Sequence, residues 1–76
     1  MSETELDARG MLCPIPVIRT QDTVATLQAG DVLKVYCSDP GVVHDIPAWC
    51  RINGHKVISI DEGDEEILVI VEVGAD

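Results

Sequence analysis

CPIPVIRTQDTVATLQAGDVLKVYCS, residues 13–38, carries the change of hydrophobic period on which the fold turns. From Pro14 to Gln28 there is no internal glycine, the length suits a helix, and Val17, Ile18, Val24, Ala25 and Leu27 form a ragged apolar face. Gly30 supplies a stop signal. Asp31 to Ser38 then alternates, with Leu33, Val35 and Cys37 on one side and Lys34, Tyr36 and Ser38 on the other, which is the pattern of a half-buried strand.

Upstream, Glu3 to Ala8 reads as a short strand ending near Arg9-Gly10. Downstream, Asp39-Pro40-Gly41 breaks the strand, and Val42, Ile46, Trp49 and Cys50 follow at helical spacing until Asn53-Gly54. Pro47 interrupts that segment. Because an interior proline costs a helix about 3 kcal/mol, the helix is expected either to kink at Pro47 or to begin its regular part there, capped by Asp45. His55 to Glu62 and Glu65 to Val73 read as two strands joined around Gly63 at a tip crowded with carboxylates. Ile67, Val69, Val71 and Val73 share a face.

The resulting order, strand-helix-strand-helix-strand-strand, predicts an α/β (α+β) fold over a single domain, residues 1–76. Its architecture is a two-layer βαβαββ sandwich, a four-stranded mixed sheet with two helices on one face. No glycine-rich phosphate loop is present in the sequence.

Composition narrows the function. A chain of 76 residues has room for one core, and with 46% hydrophobic but only 3% aromatic residues that core must be aliphatic. The formal charge of -9 removes the phosphate neutralisation that dominates nucleic-acid affinity, so no direct nucleic-acid or anionic-membrane partner is expected. Basic protein surfaces fit better. Three cysteines cannot all pair within one chain, no apolar signal segment precedes the first, and no apolar run nears the roughly 20 residues that cross a bilayer. A cytoplasmic protein, monomeric when free, is the expectation.

Cys13 is the candidate for covalent chemistry. The residue before a proline is pushed toward extended geometry, which is also what a helix N-cap needs, so Cys13 is expected at the N-cap with Pro14 at the first helical position. Pro16 still falls within the first turn, and together the prolines make a stiff mount for the thiol. The positive end of the helix dipole favours thiolate, so moderate acidification of Cys13 is expected, with Arg9 and Arg19 as helpers. The competing reading is a cysteine used as a small hydrophobe. Pro16 occupies the position where a dithiol oxidoreductase would carry its second cysteine, so no local resolving thiol exists. Such a thiolate suits taking sulfur from a persulfide, holding it and releasing it to another thiolate.

Leu6 to Thr20, LDARGMLCPIPVIRT, and Ser38 to His55, SDPGVVHDIPAWCRINGH, together resemble the TusA/SirA-like family of small sulfur carrier proteins, with the Cys-Pro-x-Pro motif complete at Cys13, Pro14 and Pro16. The resemblance implies a βαβαββ sandwich and a persulfide on Cys13 loaded by a cysteine desulfurase or a rhodanese. It implies acceptors among downstream sulfur-relay proteins, including DsrE-type subunits, in tRNA 2-thiouridine synthesis, molybdenum-cofactor assembly or sulfur oxidation. Asp39 matches the family's Asp-Pro position near the active cysteine. Asp45 to Cys50 is similar to the tRNA-thiolation branch, whereas apolar Ile15 stands where some relatives are charged.

The remaining candidates read as structure. Cys37 and Cys50 fall on apolar faces and are expected in the core, as is Trp49. His44 and His55 lack zinc-ligand spacing, so no metal and no cofactor is expected. The carboxylates from Asp61 to Glu66 suit a solvated hairpin tip. Arg9, Ile15, Arg19 and Asp39 are the candidates for partner binding or thiolate tuning. A different class of function remains: a noncatalytic regulatory or protein-interaction module using the exposed sheet face or the acidic surface, in which the Cys13 thiol would be inert.

Overall fold

A computed structural model describes residues 3–74 of the chain. Its elements are β1 (Glu3–Ala8), α1 (Ile15–Val24), β2 (Val32–Cys37), α2 (Val42–Asn53), β3 (Lys56–Glu62) and β4 (Ile67–Glu72). They form one four-stranded sheet in the order β1-β2-β4-β3. β1 runs parallel to β2, and β4 is antiparallel to both β2 and β3. The two helical crossovers, β1 to β2 and β2 to β3, therefore step across the sheet in the same direction. With the usual right-handed crossover, both helices land on the same face.

Alternation decides which side chains they cover. Leu33, Val35 and Cys37 of β2 are fully buried, and their register partners Val71 and Val69 of β4 are equally so. From α2 come Val42, Ile46 and Cys50, each four residues apart, so one stripe faces the sheet. From α1 come Pro16, Thr20 and Val24 at the same spacing. Thr20 is the one buried polar residue among those described, and its hydroxyl donates to the Pro16 carbonyl oxygen at 2.8 Å. That bond removes the desolvation cost of burying it.

Three local expectations change. α1 stops at Val24 rather than Gln28, because the chain tightens there. The Thr26 and Leu27 N–H groups reach back only three residues, to the Thr23 and Val24 carbonyls, and the Thr26 hydroxyl also donates to the Thr23 carbonyl. α2 does not start at Pro47; it is helical from Val42, with Pro47 inside it and Gly41 at the N-cap. Asp39, rather than Asp45, organises that start: its Oδ1 accepts the Gly41 N–H at 3.1 Å and its carbonyl accepts the Val42 N–H at 3.2 Å. Trp49 is half-buried at the rim of the core, where it stacks on His55 with ring centroids 5.1 Å apart and donates to Gln21 Oε1 at 3.3 Å. It clips α2 to α1 and to the start of β3.

At the other end of α2, Gly54 adopts φ 81°, the left-handed geometry that ends a helix with little cost for a residue lacking Cβ. The His55 N–H then returns to the Cys50 carbonyl at 2.8 Å. No helix among the described residues is long and apolar enough to cross a membrane.

Candidate functional site

The sheet order fixes where the chemistry can gather. β1 and β2 are parallel neighbours, paired at their ends through Ala8 and Cys37, and each leads directly into its helix. The start of α1 and the start of α2 therefore lie side by side at one end of the sheet. Cys13 sits on the first of these connections, Asp39 on the second, and Asp45 in the first turn of α2.

Cys13 lies one residue outside the N-cap position, which Pro14 occupies at φ -97° and ψ 15° without any side-chain cap. The expected place at the N-cap is thus off by one residue. The Ile15 N–H, which would have faced a capping sulfur, is instead taken by the Leu12 carbonyl at 2.9 Å. Two carboxylates hold Cys13 in place. Its backbone N–H donates to Asp39 Oδ2 at 2.8 Å, and its thiol donates to Asp45 Oδ2 at 2.7 Å.

This environment reverses the expected acidification. The hydrogen bond to Asp45, partial desolvation, and the negative charges of Asp45 and Asp39 all push the Cys13 thiol above its ordinary value. A full carboxylate charge 2.7 Å from the sulfur outweighs the partial charge of a helix end. Asp39 moves the other way: N–H groups of Cys13 and Gly41 hold its carboxyl below its usual range, so it stays ionised at neutral pH. The resting site is a thiol beside carboxylates.

Arg9 and Arg19 do not supply the charge around the sulfur. The Arg9 guanidinium is engaged by Asp7 at 2.9 Å and Glu66 at 3.3 Å, and in return holds the Asp7 carboxyl at about 2. Arg19 lies on the exposed side of α1, where with Leu6, Asp22, Thr23 and Thr26 it lines a shallow hollow. Ile15 is exposed, as are Leu12 and Ile18, so Cys13 is bordered in sequence by open apolar side chains. Pro16, by contrast, is buried and anchors the first turn of α1 to the core.

Of the three free cysteines, only Cys13 is exposed. Burial pushes the Cys37 and Cys50 thiols up to about 11, with the charge of Asp39 a second cause at Cys37. Asp45 is the residue that sequence reasoning did not connect with Cys13. The signal available was the pair of acids, Asp39 and Asp45, bracketing the start of a helix that the topology sets beside Cys13.

A mixed sheet backed by two helices, presenting one reactive sulfur where two helix starts meet, defines a small thiol-presenting α+β domain. The chain belongs to the TusA sulfurtransferase family, whose model matches residues 4–73. It is 39% identical to a protein provisionally named sulfur carrier YrkI in Bacillus subtilis, over 83% of this chain and 85% of that one. It is 36% identical to a protein of Neisseria meningitidis, provisionally named sulfur carrier NMA0882, over 95% and 97% of the two chains. The crystal structure of a SirA-like protein from Desulfitobacterium hafniense superposes with a TM-score of 0.82 at 30% identity, covering 93% of this chain and 97% of that chain. A sulfur-carrying role, with partners in sulfur relay, accompanies that membership.

Proposed function

We propose that this chain carries sulfane sulfur as a persulfide on Cys13. It receives that sulfur from the persulfide of a cysteine desulfurase or a rhodanese and passes it to a downstream relay thiol such as that of a DsrE-type subunit. The likeness of Asp45 to Cys50 to the tRNA-thiolation branch favours 2-thiouridine synthesis over molybdenum-cofactor assembly and sulfur oxidation. The observation that carries the reading is the contrast among the cysteines. Cys13 is open to a partner, whereas Cys37 and Cys50 are sealed in the core.

The exchange is balanced without an added oxidant. Cys13 Sγ loses its proton and attacks the outer sulfur of the donor persulfide; the new Sγ–S bond forms as the donor's S–S bond breaks. The donor leaves as a thiolate and is protonated. One persulfide and one thiol enter, and one persulfide and one thiol emerge. Release to an acceptor repeats the step with Cys13 as the leaving group. With Cys37 and Cys50 buried in the core, neither thiol is open to attack the loaded sulfur and discharge it internally as a disulfide.

Incubation with a cysteine desulfurase and cysteine tests this. Intact-mass measurement should show the gain of one sulfur atom in the wild-type chain and none in Cys13→Ser. Equal loading of both would overturn the assignment.

A further inference from the structure

Asp39 and Asp45 approach the same point in space. A Cβ placed on Gly41 would lie 3.6 Å from Asp39 Oδ1 and 3.7 Å from Asp45 Oδ2. Yet none of the ion pairs among the described residues reaches either carboxylate; the pairs formed are Arg9 with Asp7 and Glu66, and Lys34 with Glu3. The two acids next to the reacting sulfur therefore have hydrogen-bond donors but no cation. The chain as a whole is acidic, with 14 Asp and Glu against 5 Lys and Arg. Around this end of the molecule Leu12, Ile15 and Ile18 are exposed apolar side chains, the kind of contact area a docking protein covers.

We propose that the Cys13 site accepts partners that bring a cationic side chain next to their own reactive sulfur, and that this cation draws Asp45 off the Cys13 thiol and so releases Sγ for attack. This deepens the persulfide reading and rests on it.

The physical argument is one of competition for a single oxygen. While Asp45 Oδ2 accepts the Cys13 S–H, ionisation of the thiol would leave a thiolate against that carboxylate, with Asp39 also at hand. Like charges at such range oppose ionisation. An ammonium or guanidinium paired with Asp45 removes the acceptor and offsets the repulsion together. The Cys13 proton then goes to solvent, Sγ attacks the donor's outer sulfur, and the donor's departing thiolate takes up a proton from solvent. Screening confines the effect to a docked cation, because free salt at the surface acts diffusely. A carrier built this way keeps its sulfur unreactive until the correct partner is seated.

Charged disulfides can stand in for such partners. Cystamine, a dication, and bis(2-hydroxyethyl) disulfide, its neutral analogue, each form a mixed disulfide with a thiolate. The attacked S–S bond breaks, and the leaving thiolate is protonated. The ratio of their rates at Cys13, divided by the same ratio for an unstructured cysteine peptide, isolates what the site adds. Wild-type protein should favour cystamine by about tenfold, the thiolate gain expected from a one-unit fall in thiol pKa. The preference should shrink as salt is raised. Asp45→Asn, checked for folding by circular dichroism, should lose the preference and react faster than wild type with the neutral disulfide. A wild-type ratio equal to that of the peptide, or insensitive to salt, would overturn the proposal, as would a preference kept in Asp45→Asn or slower reaction of that variant with the neutral reagent. Sulfur loading by a desulfurase separates the two readings. Normal loading with a flat cystamine ratio defeats the cation gate alone, while a strong ratio with no sulfur on Cys13 defeats the persulfide assignment.

Discussion

The Cys13 sulfur donates its proton to Asp45 Oδ2 at 2.7 Å, joining residues 32 positions apart in the chain. The contact makes the free protein a store of thiol rather than thiolate, and it has a direct consequence for pH. Because Asp45 and then Asp39 oppose ionisation, the rate of Cys13 alkylation by iodoacetamide should still be rising above pH 9.0, the ordinary thiol value. Rates measured against pH check this. A plateau reached below that value would mean that the carboxylates do not govern the sulfur.

Cys37 and Cys50 should behave differently from Cys13 in every labelling experiment. Native protein should take up one alkyl group, on Cys13, and all three only when unfolded, since Cys37 and Cys50 are sealed. Their folded values of about 11 lie above the ordinary 9.0, so the unfolded chain loses these protons first as pH rises. Stability linked to them is thus complete below about pH 9 and declines as pH climbs toward 11. Urea midpoints across that window should fall. Cys50→Ala, although less stable overall, should show a shallower fall.

The core rests on a few aliphatic side chains, so deleting one should be severe. Ile46 of α2 is fully buried against the sheet. Ile46→Ala should cost about 3 kcal/mol and Ile46→Val about 1 kcal/mol, measured by urea denaturation. For a domain whose whole stability is of order 5 kcal/mol, the alanine variant should be partly unfolded at 37 °C. A cost under about 0.5 kcal/mol for Ile46→Ala would contradict the packing described.

Gly74 is packed where no side chain fits. A Cβ there would run into the Gly54 carbonyl oxygen, and the Gly74 N–H donates to His55 Nδ1 at 3.0 Å. The blocking atom is backbone, so it cannot swing aside. Gly74→Ala should therefore destabilise the fold by about 1–3 kcal/mol and alter the environment of Trp49, which stacks on His55. Urea titration followed by Trp49 fluorescence reads both effects.

Much of the fold is legible in the sequence because its signals are sums over many positions. The alternation through Leu33, Val35 and Cys37, and again through Ile67, Val69, Val71 and Val73, places each of these residues on the buried face. The element order then yields the mixed four-stranded sheet with both helices on one side. What escapes is decided by single contacts. The end of α1 turns on the bonds of Thr23, Thr26 and Leu27, and the start of α2 on one carboxylate, Asp39. Pro47 argues locally for a later start, but its helix carries Val42 and Ile46 into the core, and that burial outweighs one missing N–H.

At the site, the sequence points to Cys13 but mistakes its electrostatics. Reasoning along the chain sees the helix start ahead of it and two arginines nearby. It does not see that a parallel neighbour delivers Asp39 and Asp45 to the same end of the sheet, or that Arg9 is already held by Asp7 and Glu66. Charge placed by topology overrides charge placed by sequence proximity.

Locating the transferred sulfur on the chain tests the account most directly. Protein loaded with radiolabelled sulfur by a desulfurase, then cleaved under non-reducing conditions, should carry the label only on the peptide that contains Cys13. Label on the peptides holding Cys37 or Cys50, with that peptide bare, would contradict it.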